Sequence, residues 1–364
     1  RVHGIPHSNT HPETVMAAPK APRHFAVIGA GIAGIACART LAQAGHSLTI
    51  FDKAPTPGGR MASLDSPFGR FDAGAQYFTV RDPRFARALE TVPGLCKPWS
   101  ANAIRVLDAH GRVTEAPLPA RESHWVATPG MSDLPAQWAQ PLAAACQLEL
   151  KTRVMRIEPD ALDPAQWQLR TESGDAHQVY GGFDAVLLAL PAPHAADLLN
   201  RSALAPKGLR KLADVDMAPC WTLMLAFPNA MQPGLVTLGP QWNAARSTHH
   251  RVAWLARESS KPGRAPTERW TVQASAQWSL EHLQDDAARI EAKLRKAFTE
   301  VTGIYAEPAF TAVHRWRHAR TLKPLGQTHL WDARTRIGAC GDWFTGHRVE
   351  EAFLSGLELA LAVT

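Results

Sequence analysis

Three glycines and one acid are spaced as a phosphate cradle requires. Gly29, Gly31 and Gly34 fall in the run Gly29-Ala30-Gly31-Ile32-Ala33-Gly34, and Asp52 closes a short apolar run, Leu48 to Phe51. Another apolar run, Phe25 to Ile28, precedes the glycines. Between the two runs Ile32, Ile35, Ala36 and Leu41 recur at helical spacing until Gly45 stops them. The order is strand, glycine turn, helix, strand, acid, as in a dinucleotide-binding βαβ unit. Gly29 permits the tight turn, Gly31 lets backbone approach a pyrophosphate, and Gly34 lets helix and strand pack closely. Free N–H groups and the dipole at the helix start favour the phosphate charge. Asp52 is placed to accept from a ribose hydroxyl, with Lys53 next to it.

Further groups choose among dinucleotides. The Gly58-Gly59-Arg60 turn, followed by Met61, brings a second glycine bend and a guanidinium able to close over a pyrophosphate. Val154 lies on a strand suited to flank an adenine. Near the other end, Gly341-Asp342 follows an apolar strand and precedes a glycine-containing helix, Glu350 to Ala360. A carboxylate there can bind ribityl hydroxyls, and the helix start can face an electron-rich ring edge. A returning strand, loop and helix suits a long cofactor, so FAD is favoured over NAD. Cys340 precedes this turn and reads as a packing cysteine, so the FAD is expected to be held non-covalently.

Composition removes several alternatives. The net charge of +6 arises from 39 basic and 33 acidic residues without a Lys/Arg tract, which argues against a nucleic-acid partner. No apolar run approaches the roughly 20 residues that span a bilayer, so no membrane partner is expected. The five cysteines are scattered and lack CxxC spacing, which points away from disulfides and toward a reducing, cytoplasmic compartment. Sixteen histidines include no HExxH pair, and no metal is expected. Residues 1–20 are polar and Pro/His-containing, an expected extension or disordered segment.

Placing these groups requires a doubly wound nucleotide domain carrying insertions. A helix is expected over 80–92, short strands between Trp99 and Trp125, and a loop and helix over 130–146. Meander strands are expected over 148–157 and 167–171. Ala185 to Leu190 reads as a buried parallel strand with a helix after it. Residues 215–225, 251–256 and 270–275 read as antiparallel strands, and 280–302 as helix. The fold class is therefore α/β. A discontinuous Rossmann domain (23–78, 130–200 and 325–364) would carry a mostly antiparallel sheet-plus-helix substrate domain (79–129 and 201–324).

The segments GAGIAG, FDK, GGRM, FDAGAQYFTVRD, WLARESSKPGR, WSLEHL, HRWRHAR and GDWFTGHRVEEAFLSGLELA resemble the flavin amine oxidase superfamily, within the glutathione-reductase-like FAD fold. They look most like its bacterial renalase-type members, over nearly the whole chain after about residue 23. The resemblance implies oxidation of misreduced 2- and 6-dihydro isomers of NAD(P)H, with hydride passing to flavin and O2 reoxidising it to hydrogen peroxide. An amine oxidase or desaturase on the same fold, and a flavin-binding protein without turnover, are the alternatives. By the same resemblance Ala75, Gln76 and Tyr77 would run along the isoalloxazine. Gly341, Asp342, Val349 and Glu350 would lie near its ribityl and pyrimidine edge. Tyr77, Trp316 and His318 are candidate catalytic-site walls, and Arg317, Arg320 and Trp343 candidate substrate contacts. The lysine that many amine oxidases hold through water to the flavin has no assignable counterpart.

Overall fold

A computed structural model describes residues 20–99, 104–115, 122–231 and 239–364. Apart from Lys20, the expected N-terminal extension lies outside the described residues.

The nucleotide sheet has six strands. From edge to edge they are Leu330–Asp332, Ile337–Ala339, Ala185–Leu188, His24–Ile28, Ser47–Phe51 and Cys146–Glu149. All run parallel except the first, which is antiparallel to its neighbour. The central strands are apolar without alternation because both faces are covered. On His24–Ile28, Phe25 and Val27 face the helices Ile32–Gln43 and Val349–Val363. Ala26 and Ile28 face a three-stranded meander (Arg153–Pro159, Trp167–Ser173 and Ala176–Phe183) and the helix Ala192–Arg201. The first and last helices touch: a Cβ on Gly356 would overlap the Ala33 carbonyl.

The second large sheet has seven strands, in the order Phe310–Lys323, Asp216–Phe227, Glu268–Ala274, Val252–Arg257, Ala244–Ser247, Arg105–Leu107 and Val113–Glu115. Its neighbours are antiparallel except Ala244–Ser247 beside Arg105–Leu107. One face packs Leu223, Leu225 and Val272 on the helix Ala287–Thr302. From the other, Met224 and Ala226 pack on Phe71 and Ala73. The segment running on from Phe71 is thus clamped between the two sheets.

Two expectations change, a third is refined, and one strand is added. The stretch 148–157 belongs to two sheets, parted by a turn in which Lys151 takes a φ of 51°. The stretch 280–302 is two helices, Ala276–Glu281 and Ala287–Thr302, because Asp286 caps the second by accepting from the Arg289 N–H. The helix expected over 80–92 forms as Pro83–Glu90, capped by Asp82. It packs Phe85 on Phe353 of the last helix (5.1 Å between rings), on the nucleotide side rather than in the substrate half. Finally, the 14-residue strand Phe310–Lys323 was not foreseen, because its Arg/His-rich pattern carries no apolar alternation. It is the sheet's edge strand, where charged residues are tolerated.

Candidate active site

At the glycine end the backbone is bare. The helix Ile32–Gln43 begins at Gly31 with no side-chain cap and no acid in its first turn. Its first N–H groups are therefore left for an anion. Gly29 has a φ of 111°, and a Cβ on Gly29 or Gly34 would strike backbone, so these two glycines serve the turn and the packing. Gly31 is different. A Cβ there meets only Gly59 Cα, at 3.8 Å, so the space beside it is open. Gly59 is solvent-exposed and forms, with Gly58, the opposite lip of the opening. Asp52 accepts from the Ala30 N–H (2.7 Å) and the Ala54 N–H (2.8 Å), which braces the turn and leaves its remaining lone pairs partly exposed. Lys53 is exposed beside it, while Val154 and Met61 are buried. A diphosphate fits this cradle: uncapped donors on one side, open glycines on both.

Arg60 carries the site toward its other end. Its guanidinium forms a two-pronged pair with Asp342 (2.6 and 3.1 Å) and reaches the Ala319 carbonyl at 3.3 Å. Asp342 is nearly buried, and Gly341 adopts a φ of 155° against the Trp343 ring. Two segments far apart in sequence are joined here by one charge-assisted contact.

Past Arg60 the clamped segment 72–78 is pinned peptide by peptide. The Ala75 N–H donates to the Arg60 carbonyl (2.9 Å). Trp316 Nε1 donates to the Ala73 carbonyl (2.8 Å), and Gln273 Nε2 donates to the Gly74 carbonyl (2.8 Å). Gln76 is buried, and its amide turns back to donate to the Asp72 and Gly74 carbonyls. Tyr77 is half-buried among His124, Trp254 and Trp99.

Beneath this segment lies a closed ionic cluster. Lys261 Nζ donates to Asp72 (3.0 Å), Glu258 (3.1 Å) and Gln76 Oε1 (3.2 Å), and lies 5.3 Å from the Trp99 ring centre. Arg264 donates to Asp72 (2.8 Å) and to the Ala127 carbonyl. The side chains of Lys261, Asp72 and Glu258 are 0% exposed. Burial pushes the Asp72 carboxyl up, but Lys261, Arg264 and the Met131 N–H outweigh it and hold it below the usual range. For Glu258 burial wins over Lys261, and its pKa rises.

The edge strand supplies the rim. Trp316 contacts the bed directly, and His314 packs edge-on to it at 4.2 Å. His318 stands 4.8 Å from His194, ring to ring. Burial lowers the His318 pKa, with Arg60, Arg317 and Lys53 adding to the effect. Burial likewise brings His194 down to about 4, helped by Lys53, His318 and Arg153. Arg317 and Arg320 are exposed, and Arg320 Nη2 lies 3.3 Å from His347 Nε2.

Two residues do other work than expected. Trp343 is fully buried, stacks on Phe344 at 3.9 Å and donates to the Leu190 carbonyl. It supports the Gly341 turn from within the core and is not placed to touch a substrate. Glu350 is buried too, and its carboxylate accepts from the Arg81 and Asp82 N–H groups at 2.7 Å. That side chain braces the start of the helix Pro83–Glu90, while Val349 is half-buried at the start of the last helix.

The cluster of Asp72, Glu258, Lys261 and Arg264 was missed. All four sit inside the quoted segments FDAGAQYFTVRD and WLARESSKPGR, but the polar run around Lys261 and Arg264 reads as an exposed turn and gives no sign of burial.

A family profile described as "NAD(P)-binding Rossmann-like domain" matches residues 27–92, and one described as "Flavin containing amine oxidoreductase" matches residues 115–364. A hydroxyneurosporene desaturase of Rubrivivax gelatinosus is 44% identical over 80 residues, covering 21% of this chain and 15% of that protein. A tRNA 5-methylaminomethyl-2-thiouridine biosynthesis bifunctional protein of Magnetococcus marinus is 31% identical over 220 residues, covering 50% of this chain and 31% of that protein. The chain thus spans well under half the length of these relatives. A triple mutant of putrescine oxidase superposes with a TM-score of 0.70 at 11% identity, covering 94% of this chain and 98% of that one, a likeness of fold. With its bare phosphate cradle, its Arg60–Asp342 clasp and a family profile over most of its length, the chain belongs to the flavin-containing amine oxidoreductases, a family whose cofactor is FAD.

Proposed function

We propose that this enzyme is of renalase type, oxidising a small phosphate-bearing reduced nucleotide such as a 2- or 6-dihydro isomer of NAD(P). The observation that carries this reading is the charge of the rim. Lys53, Arg153, Arg317 and Arg320 are exposed; Arg60, Arg317 and Lys53 act on His318, and Lys53 and Arg153 on His194, so these cations line the rim that the two imidazoles share. Such a rim attracts a phosphate-bearing substrate and opposes an ammonium, because their fields sum over a poorly solvated cleft. The imidazoles among these cations, His194, His318 and His347, have lowered pKa values and remain neutral at pH 7, so they add no charge to the rim.

Gly31 and Gly59 admit the diphosphate of FAD, Asp52 holds a ribose, and Asp342 with Arg60 holds the ribityl end. Ala75, Gln76 and Tyr77 form the bed for the ring, and Trp316 closes one side against water. When bound, the flavin supplies hydride acceptance, with O2 as the terminal oxidant giving hydrogen peroxide. The chain's share is orientation and dryness: a dihydronicotinamide becomes an aromatic pyridinium on losing hydride, so no side chain has to take a proton. The five free cysteines suit action in the cytoplasm.

Anaerobic mixing with 6-dihydro-NAD, ordinary NADH and a panel of amines tests the proposal. Rapid bleaching of the flavin's long-wavelength band by the isomer alone is expected. Bleaching by amines alone would replace it with an amine oxidase, and no bleaching by any compound would point to a binding protein without turnover.

A further inference from the structure

We infer that Lys261 is a positioning residue for the flavin ring, acting through Gln76 and Asp72. The inference rests on the reading that residues 74–77 form the ring's bed, and it is independent of which substrate is oxidised. A fully buried ammonium is costly unless every donor is used, and a structural role alone is often served as well by apolar packing. Here the three heavy-atom contacts of Lys261 go to the two buried carboxylates and to the one side chain that shapes the bed. Gln76 spends its amide nitrogen on the Asp72 and Gly74 carbonyls. The Lys261 ammonium then fixes which way the amide faces, since only the oxygen can meet it. Asp72 takes donors from Lys261, Arg264 and the Met131 N–H, so its backbone is held from below as well.

The Arg60 carbonyl, Gln273 and Trp316 pin peptides 73–75. The bed is therefore held at successive residues from 72 to 76, and Lys261 supplies the contacts at its two ends, Asp72 and Gln76. Orphaned atoms mark the cluster as built around charge rather than for hydrogen-bond completeness: Glu258 Oε2 and Arg264 Nε lack partners among the described residues. Withdrawing the Lys261 charge would leave two carboxylates facing the arginine beneath the ring. The ring would then be harder to reduce, because a reduced flavin carries more negative charge.

The test uses the FAD-loaded enzyme and its apoprotein as Lys261→Met, Lys261→Arg and Gln76→Met variants. Three properties of the flavin are read: its dissociation constant, its midpoint potential in an equilibrium dye titration, and its visible circular dichroism. For Lys261→Met we expect FAD binding weakened about ten-fold, a more negative potential and an altered dichroic band. Lys261→Arg restores much of each. Gln76→Met reproduces the dichroic change with the ions in place, and carries the test if Lys261→Met does not fold. A folded Lys261→Met enzyme, or a Gln76→Met enzyme where that one is needed, with all three properties at wild-type values overturns the inference. Failure of the dihydronicotinamide reading would show in the substrate panel and would leave these properties untouched.

Discussion

The glycine end of the groove leaves its donors unmet, whereas the bed end leaves almost none. Around Gly31 the helix start has neither cap nor acid, and the nearest obstruction is another glycine. Around Asp72, four charged side chains from two distant segments are locked together out of reach of water. The first region waits for a ligand to satisfy it, and the second has its charges paired before any ligand arrives. Affinity for the cofactor should therefore depend on the first, and the stability of the empty protein on the second.

The sharpest break is Gly31→Val. Its backbone (φ −72°, ψ 177°) suits a β-branched residue and its Cβ would meet nothing closer than 3.8 Å, so the apoprotein should fold normally. The same side chain fills the diphosphate space, and purified protein should carry no flavin by its absorbance ratio. A full flavin complement would place the cofactor elsewhere. Next, Asp72→Asn leaves Lys261 and Arg264 buried beside a neutral amide and should cost about 3–5 kcal/mol in urea unfolding of the apoprotein. A loss under about 1 kcal/mol would mean the cluster is not structurally closed.

Asp342→Asn unpairs Arg60 and removes one ligand. We expect about ten-fold weaker FAD binding by fluorescence titration, at little cost to the apoprotein. Asp52→Ala should weaken FAD retention by a few-fold, about 1 kcal/mol, without changing which substrates bleach the flavin. The smallest effect concerns pH. His194 is held to about 4 against the ordinary imidazole value of 6.5, so below 6.5 the unfolded chain takes a proton that the folded one refuses. Apoprotein stability should fall as pH drops from 6.5 toward 4, and His194→Asn should flatten that part of a melting-temperature profile. An unchanged slope would remove His194 as its source.

The same contrast explains what could be read in the chain. The phosphate cradle is local: strand, turn, helix and acid lie within residues 24–52, and each glycine answers to neighbours a few positions away. The ionic cluster joins residue 72 to residues 258–264, and no spacing rule relates them. Phe310–Lys323 hid for a similar reason, since an edge strand with one partner has no need of apolar alternation. For Trp343 and Glu350 the sequence does not say which way a side chain points. One packs into the core and the other caps a separate helix.

Arg60 and Asp342 meet across nearly the whole described chain, and the last helix lies directly on the first. During synthesis on the ribosome, then, the segment that recognises phosphate emerges long before its opposing wall. Cofactor capture must wait until the helix Val349–Val363 is free to dock. A nascent protein stalled before that point should be recoverable without colour, however well its early βαβ unit has formed.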